Sequence, residues 1–245
     1  MKNLKWSFGI LGMLTLMITS CGIADDDGLF NCERGEGEKV ARTLDITDFS
    51  GVELDIAADV YITQGDTYEV IAEGQDNILN ELEARVEGNV WHIKFDDCVR
   101  NYDGLDIFIT MPEIDYLSVD GSGDIIGENF FEIEDIEMKI CGSGNIDIGI
   151  EEGDDIDAKI SGSGKIKLEG TAQKLDFKIS GSGDLRAFDL ELEKADINIS
   201  GSGDAEVFVT DDLDIKITGS GDVYYKGNPD IDVSITGSGD VVNAN

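Results

Sequence analysis

A carboxylate follows a repeated Gly-Ser-Gly turn, and carboxylates in a row are a potential cation site. The last four of the seven turns are followed directly by Asp184, Asp204, Asp222 and Asp240. If successive turns stack at the spacing of β-strands, these side chains stand about 5 Å apart and repel one another. The pattern favours solvated carboxylates that cap the turns. The alternative is a calcium ion that bridges neighbouring carboxylates. Calcium is the only cofactor that the sequence suggests.

The four cysteines point to export and to one disulfide. Cys21 ends the apolar N-terminal segment, and no CxxC metal spacing occurs. In an oxidising compartment the favoured bridge joins Cys32 to Cys98, which would tie the N-terminal segment to the body of the fold. Cys141 is then expected to take no part in any disulfide, because it stands in a turn position that other repeats fill with Ser or Thr.

Residue types that support catalysis are sparse. His92 is the single histidine, and it lies on a candidate hairpin strand far in sequence from the serines of the turns. Arg186 is the one arginine of the repeat region. No Gly-Lys-Ser/Thr follows the turns, so they are not phosphate loops. The sequence therefore predicts a protein that is not an enzyme.

The turns belong to an internal repeat of about 18–21 residues, with starts separated by 21, 20, 19, 20, 18 and 18 residues. Between turns, apolar residues alternate with polar ones, as in Leu175, Phe177 and Ile179. This period of two indicates strands with one buried face, and only coil-on-coil stacking could bury those faces. The prediction is an all-β fold, a right-handed parallel β-helix or β-solenoid.

The paired glycines of each turn are predicted to stand at a corner where a Cβ would crowd the chain or where φ is positive. They are Gly121 and Gly123, Gly142 and Gly144, Gly162 and Gly164, Gly181 and Gly183, Gly201 and Gly203, Gly219 and Gly221, and Gly237 and Gly239.

Stacking also predicts ladders of charge on the outside. Five residues before each of the last six turns stands an acidic residue, and two residues later most of these coils have a lysine. Diagonal pairing between the two columns would relieve like-charge repulsion, so both are interpreted as structural. The acidic column is Glu137, Asp157, Asp176, Asp196, Asp214 and Asp232, and its neighbour is Lys139, Lys159, Lys178, Asn198, Lys216 and Ser234.

The N-terminus differs in kind from the rest. A short basic start and an apolar run lead to Ile18-Thr19-Ser20-Cys21, which resembles a bacterial lipobox. Residues 1–20 are predicted to be a lipoprotein signal peptide, with Cys21 diacylated as the first mature residue. An acidic flexible tether over 21–40 then precedes a single solenoid domain over 41–245. We expect an exported outer-membrane lipoprotein, with the cell surface as one location for its body.

Within that domain, residues 41–115 carry a blurred repeat and 116–245 a regular one. Asn77 to Leu82 is predicted to form a short helix with Asn77 as N-cap. Arg85 to Phe95 is predicted to form a hairpin that turns at Gly88-Asn89. This region should cap the N-terminal end of the stack. No cap is evident at the other end, so charge or a partner is expected to protect its edge.

The segment FSGVELDIAADVYITQG and the serial GSGD-like turns resemble the putative auto-transporter adhesin, head GIN domain family, over roughly residues 45 to 235. The resemblance implies a β-solenoid of exported bacterial proteins, often Bacteroidetes lipoproteins. It implies no established activity and no functional residues, and we expect no membrane barrel after the solenoid.

A formal charge of −35 argues against nucleic acid and anionic lipid headgroups as partners. The leading hypothesis is a non-catalytic, adhesin-like envelope lipoprotein that is held to the outer membrane by its lipid and binds a glycan or protein ligand. The alternatives are an envelope structural or stress-related protein without a ligand and, less favoured, a carbohydrate-active enzyme.

Overall fold

The computed structural model describes residues 32–245, so the predicted signal peptide, Cys21 and the first part of the tether lie outside the described residues. Strands dominate, and a single five-residue helix interrupts them within this range. No helix between residues 32 and 245 is long and apolar enough to cross a membrane.

In chain order the elements are β1 (Glu33–Arg34), β2 (Lys39–Leu44), β3 (Gly51–Leu54), β4 (Asp59–Gln64), β5 (Glu69–Gln75), α1 (Asp76–Asn80), β6 (Val86–Glu87), β7 (Val90–Ile93), β8 (Val99–Arg100), β9 (Asp106–Met111), β10 (Tyr116–Val119), β11 (Asp124–Ile140), β12 (Asn145–Ile160), β13 (Lys165–Gly181), β14 (Asp184–Gly201), β15 (Ala205–Gly219), β16 (Val223–Lys226), β17 (Asp230–Gly237) and β18 (Val241–Asn243).

The regular part is a stack of parallel coils. Strands β11 to β15 each fill most of a coil, and each pairs in parallel with the next. The register places Ile140 beside Ile160, Ile160 beside Ile179, and Ile179 beside Ile199. Residues at the same point of the repeat therefore form columns, as period-two alternation and coil stacking require. The predicted all-β solenoid is confirmed.

The interior is filled by the inward-facing aliphatic side chains. Ile140, Ile160, Ile179, Ile199 and Ile217 form one such column, and each is 2% exposed or less. Full burial of a side chain of this size contributes about 1.5–3 kcal/mol. Because side chains fill the interior, ligands must approach the outside of the coils.

The first coils stack in an order that differs from their order along the chain. Strand β3 pairs in parallel with β7 on one side and with β10 on the other. Strand β4 likewise lies between β9 and β11. The second coil therefore covers the outer side of the first, and the third coil continues the stack from the opposite side. Sequence periodicity could not show this inversion, because it marks strands and not their neighbours.

Antiparallel strands close the N-terminal end. Strand β5 pairs antiparallel with β9, and β2 pairs antiparallel with β5. The hairpin β6–β7 turns at Gly88 and Asn89, whose φ angles are 59° and 67°. The predicted hairpin and its turn are confirmed.

The predicted N-cap role of Asn77 is wrong. Helix α1 begins one residue earlier, and its N-cap, Gln75, makes no side-chain cap bond. The Asn77 carboxamide instead holds the N-terminal segment: Oδ1 accepts the Glu36 amide at 3.0 Å, and Nδ2 donates to the Arg34 carbonyl at 2.6 Å. The Asn77 side chain, which the local pattern assigned to the helix cap, makes a tertiary contact instead.

A disulfide joins Cys32 to Cys98 beside the short parallel pair β1–β8. It fastens the start of the described chain to the N-terminal end of the solenoid. The expectation that Cys141 takes no part in a bridge is wrong, because none of the cysteines among residues 32–245 is free. Cys141 is half-buried, and the repeat pattern that assigned it to a hydroxyl position carries no information about disulfide bonding.

Candidate functional site

The Gly-Ser-Gly turns stack on one another along one edge of the solenoid. The amides of Ser202, Ser220 and Ser238 each donate to the first glycine carbonyl of the preceding turn at 2.8 Å. Gly201 has a φ of 149°, and a Cβ there would lie 2.0 Å from the Gly181 carbonyl oxygen. Glycine is therefore required by the close approach and by the backbone conformation together.

Two columns of exposed hydroxyl groups run along this edge. One is formed by the middle serines of the turns and the other by the residues that precede the turns. We call these two columns the turn edge. Its hydroxyl members are Ser122, Ser143, Ser163, Ser182, Ser202, Ser220 and Ser238 in the first column, and Ser161, Ser180, Ser200, Thr218 and Thr236 in the second.

The aspartates that follow the turns are linked through the backbone. Oδ1 of Asp184, Asp204 and Asp222 accepts the amide of the aspartate in the next coil, at 3.3, 2.9 and 2.8 Å respectively. Each carboxylate thus caps the following turn. Arg186 lies 3.2 Å from Asp184, so the first carboxylate of the column has a cation beside it. Calcium binding at Asp184, Asp204, Asp222 and Asp240 stays a prediction.

The charged columns on the adjoining face interlock across coils. Lys159 Nζ lies 3.2 Å from Asp157 in its own coil and 3.2 Å from Glu137 in the coil before. Partial burial acts to raise the pKa of Glu137, but hydrogen bonds from Lys139 and Lys159 outweigh it and lower that pKa. Such half-exposed pairs contribute at most about 1 kcal/mol each. These columns therefore relieve repulsion between stacked coils and do not mark a site.

The corner of the coils away from the turn edge carries an acidic groove. Its lining includes Glu113, Asp115, Glu132, Glu134 and Asp135, with further carboxylates from the next coil. No lysine or arginine lines it. Concentrated negative charge of this kind repels anionic ligands.

A third polar cluster gathers where the coil order is inverted. Glu53, Asp55 and His92 are the one group of three or more acidic, cysteine or histidine residues, within residues 32–245, whose ligand atoms all lie within 4.8 Å of one another. His92 Nδ1 lies 3.1 Å from Glu53 Oε1. A nitrogen and two carboxylates are ligand types that could hold a divalent metal. Sequence reasoning missed Glu53 and Asp55, because strands β3 and β7 are neighbours only in the folded stack; the single histidine was the available signal.

The same cluster holds an unusual carboxyl group. Desolvation by the surrounding protein, followed by repulsion from Glu53 and Asp120, raises the pKa of Asp55 from 3.8 to about 6. Ser118 of β10 lies beside Glu53, but the cluster and this serine do not form a nucleophile relay. The register places Glu53 between His92 and Ser118, whereas a serine nucleophile needs the histidine in the middle position.

The fold and its exposed columns define a β-solenoid that displays repeated polar groups on a rigid frame. The family model described as "Putative auto-transporter adhesin, head GIN domain" matches residues 48–229. The chain belongs to this family, as the sequence resemblance predicted. Membership indicates an exported or surface protein with an adhesin-like, non-enzymatic role.

Solved structures from two bacterial genera share the fold. A putative adhesin from Bacteroides fragilis is 27% identical, with a TM-score of 0.80 over 86% of this chain and 99% of that one. A protein from Parabacteroides distasonis described as a putative lipid binding protein is 26% identical, with a TM-score of 0.74 over 87% of this chain and 100% of that one. A search of curated proteins found no match.

Proposed function

We propose that this chain is a non-catalytic outer-membrane lipoprotein whose turn edge binds a neutral, hydroxyl-rich ligand such as a glycan. The observation that carries the proposal is the pair of exposed hydroxyl columns, which repeat once per coil on a rigid backbone. Hydroxyl groups both donate and accept hydrogen bonds, so a column of them suits a ligand that itself carries repeated hydroxyl groups. The carboxylates beside them accept further bonds from such a ligand.

Charge narrows the choice of ligand. The formal charge of −35 and the acidic groove disfavour sulfated or uronic-acid polymers and nucleic acid. The packed interior disfavours a lipid chain held between the sheets. A lipid is the ligand type in the description of the Parabacteroides distasonis neighbour, so lipid vesicles belong among the probes.

The binding test uses purified residues 22–245 on an array of neutral, acidic and basic glycans, with neutral vesicles as a separate probe. The variant Ser182→Tyr/Ser202→Tyr blocks the turn edge at two exposed positions, and Gln173→Tyr/Glu193→Tyr places the same bulk at exposed positions away from it. We expect binding to neutral glycans that falls at least about tenfold in the first variant and is unchanged in the second. Equal binding by both variants, or no glycan binding at all, would reject the turn edge as a glycan site.

The anchor is tested separately. Mass spectrometry of the protein from bacterial membranes should show a diacylated Cys21, and Cys21→Ser should release the protein from the membrane fraction. Diacylation uses the Cys21 sulfur as a thioether, so a peptide map with that sulfur in a disulfide would contradict the lipoprotein proposal. Glycan binding does not depend on this result.

A structural envelope protein without a ligand is the competing role. A deletion strain that loses envelope integrity, yet keeps its attachment to glycan-coated surfaces, would favour that role over ligand binding.

A further inference from the structure

The C-terminal end of the solenoid exposes residues that every other regular coil buries. Ile231, Val233 and Ile235 of β17 occupy the inward positions of the repeat, yet they are 39%, 41% and 41% exposed. Their equivalents one coil earlier, Ile215 and Ile217, are 3% and 0% exposed. Strand β17 pairs with β15 alone among the described strands.

Besides these exposed side chains, the backbone amide and carbonyl groups on the outer side of β17 have no pairing strand among the described residues. In a complete coil the Ile140 carbonyl accepts the amide of Ser161 from the coil that follows, at 2.7 Å. Ile235 is the equivalent of Ile140, and no described strand follows it. Amide and carbonyl groups point to opposite sides of a strand from one residue to the next. The groups of Ile231 and Val233 therefore face the same unpaired side as those of Ile235. An unprotected edge with apolar side chains is a template for strand pairing.

The sequence of β17 is complementary to itself in one antiparallel register. With Val233 opposite Val233 of a second copy, Ile231 meets Ile235, Asp230 meets Thr236 and Asp232 meets Ser234. No carboxylate faces a carboxylate directly, although the edge is acidic. All three residues with open backbone groups then stand in hydrogen-bonded pairs, which gives about six inter-chain backbone hydrogen bonds.

The opposite end of the molecule is a poorer partner for this edge. There the outer strand β2 is antiparallel to its neighbour, and its two cations, Lys39 and Arg42, already pair with Asp106 and Asp76. A head-to-tail contact would also leave an end open and propagate into a filament, whereas a two-fold contact between identical ends closes.

We propose that β17 pairs antiparallel with β17 of a second copy of this chain, joining two solenoids at their C-terminal ends with their N-terminal ends pointing apart. The hydrophobic interior then continues from one chain into the other, and Ile231, Val233 and Ile235 become buried.

Analytical ultracentrifugation of residues 22–245 tests the pairing, with Val233→Lys as the disrupting variant. Val40→Lys is the matched control, because Val40 is 42% exposed on the edge strand at the other end. We expect a dimer that Val233→Lys weakens at least about tenfold and Val40→Lys leaves intact. A wild-type chain that stays monomeric up to about 100 µM overturns the proposal. Loss of the dimer in Val40→Lys overturns it in favour of head-to-tail contact.

A cysteine cross-link tests the register without depending on the fold of a disrupted variant. In a Cys141→Ser background, which places the common serine of this turn position there, Val233→Cys should form a disulfide-linked dimer under mild oxidation. Cα atoms of a directly opposed pair lie about 5.5 Å apart, within disulfide reach, whereas those of Ser234→Cys would be displaced by two residues. Cross-linking of Ser234→Cys but not Val233→Cys overturns the proposed register.

Discussion

The two ends of the solenoid differ in how the outer side of the last coil is covered. At the N-terminal end, an inverted second coil, three antiparallel strand pairings and the Cys32–Cys98 bridge cover the first coil. At the C-terminal end, β17 continues the repeat unchanged and then has no neighbour on its outer side among the described residues. One end departs from the repeat in order to close it, and the other keeps the repeat and stays open.

This difference shows where the stability of a coil originates. A coil in the middle of the stack buries its aliphatic side chains under both neighbours, while the last coil has one neighbour only. The same residue types at the same repeat position therefore have different energetic weight along the molecule. Variants at equivalent repeat positions would confirm or refute this contrast.

Truncation within one column should have very different costs at the middle and at the end. Ile199 is 2% exposed and Ile235 is 41% exposed at the equivalent position. We expect Ile199→Ala to lower the free energy of unfolding by about 3 kcal/mol, because it leaves a cavity, and Ile235→Ala by less than about 1 kcal/mol. Urea unfolding of both variants, at a concentration where the chain is monomeric, measures the difference. Equal losses would contradict an open end.

The turns should respond differently where the regular stack meets the N-terminal coils. A Cβ on Gly181 would lie 2.4 Å from the Gly162 carbonyl oxygen at a φ of 147°, whereas one on Gly121 would have its nearest neighbour at 3.6 Å. Gly181→Ala should therefore destabilise the protein by about 2 kcal/mol, and Gly121→Ala by much less. Thermal melts followed by circular dichroism compare the two. A tolerated Gly181→Ala would show that the turns can separate without cost.

The cluster at the inverted coils predicts a pH effect centred on Asp55. Between pH 3.8 and about 6 the folded state retains a proton that the unfolded chain has lost, so this group makes stability fall as pH rises through that window. Asp55 keeps contact with solvent, so we expect Asp55→Asn to stabilise by only about 1 kcal/mol at pH 7 and to be near neutral below pH 4.

Denaturant unfolding at several pH values measures this effect, with Asp66→Asn on an exposed loop as the control. An unchanged pH profile in Asp55→Asn would assign the titration to another group.

Calcium should have the smallest effect. One oxygen of each of Asp184, Asp204 and Asp222 already accepts an amide from the next coil, which reduces the repulsion that a cation would relieve. We expect millimolar calcium to raise the melting temperature by no more than about 2 °C. A larger rise that Asp204→Asn abolishes would instead establish the cation site.

The turn edge was largely predictable from the sequence, whereas the Glu53–His92 cluster was not. The turn edge follows from a periodic sequence, because residues at one repeat position must share a column once coils stack. Glu53 and His92 are 39 positions apart and meet only because β7 lies against β3. Asn77 shows the same limit, since its capping preference was overridden by a contact with the N-terminal segment.

Periodicity was enough to predict the strands, their buried faces, the glycine corners and the columns of charge outside, because period-two alternation and a repeat near 20 residues leave one way to bury the aliphatic side chains. The stacking order of the first coils and the exposure of β17 became evident only in the folded stack. Those depend on which strand supplies the neighbouring hydrogen bonds, and hydrophobic periodicity carries no information about that choice.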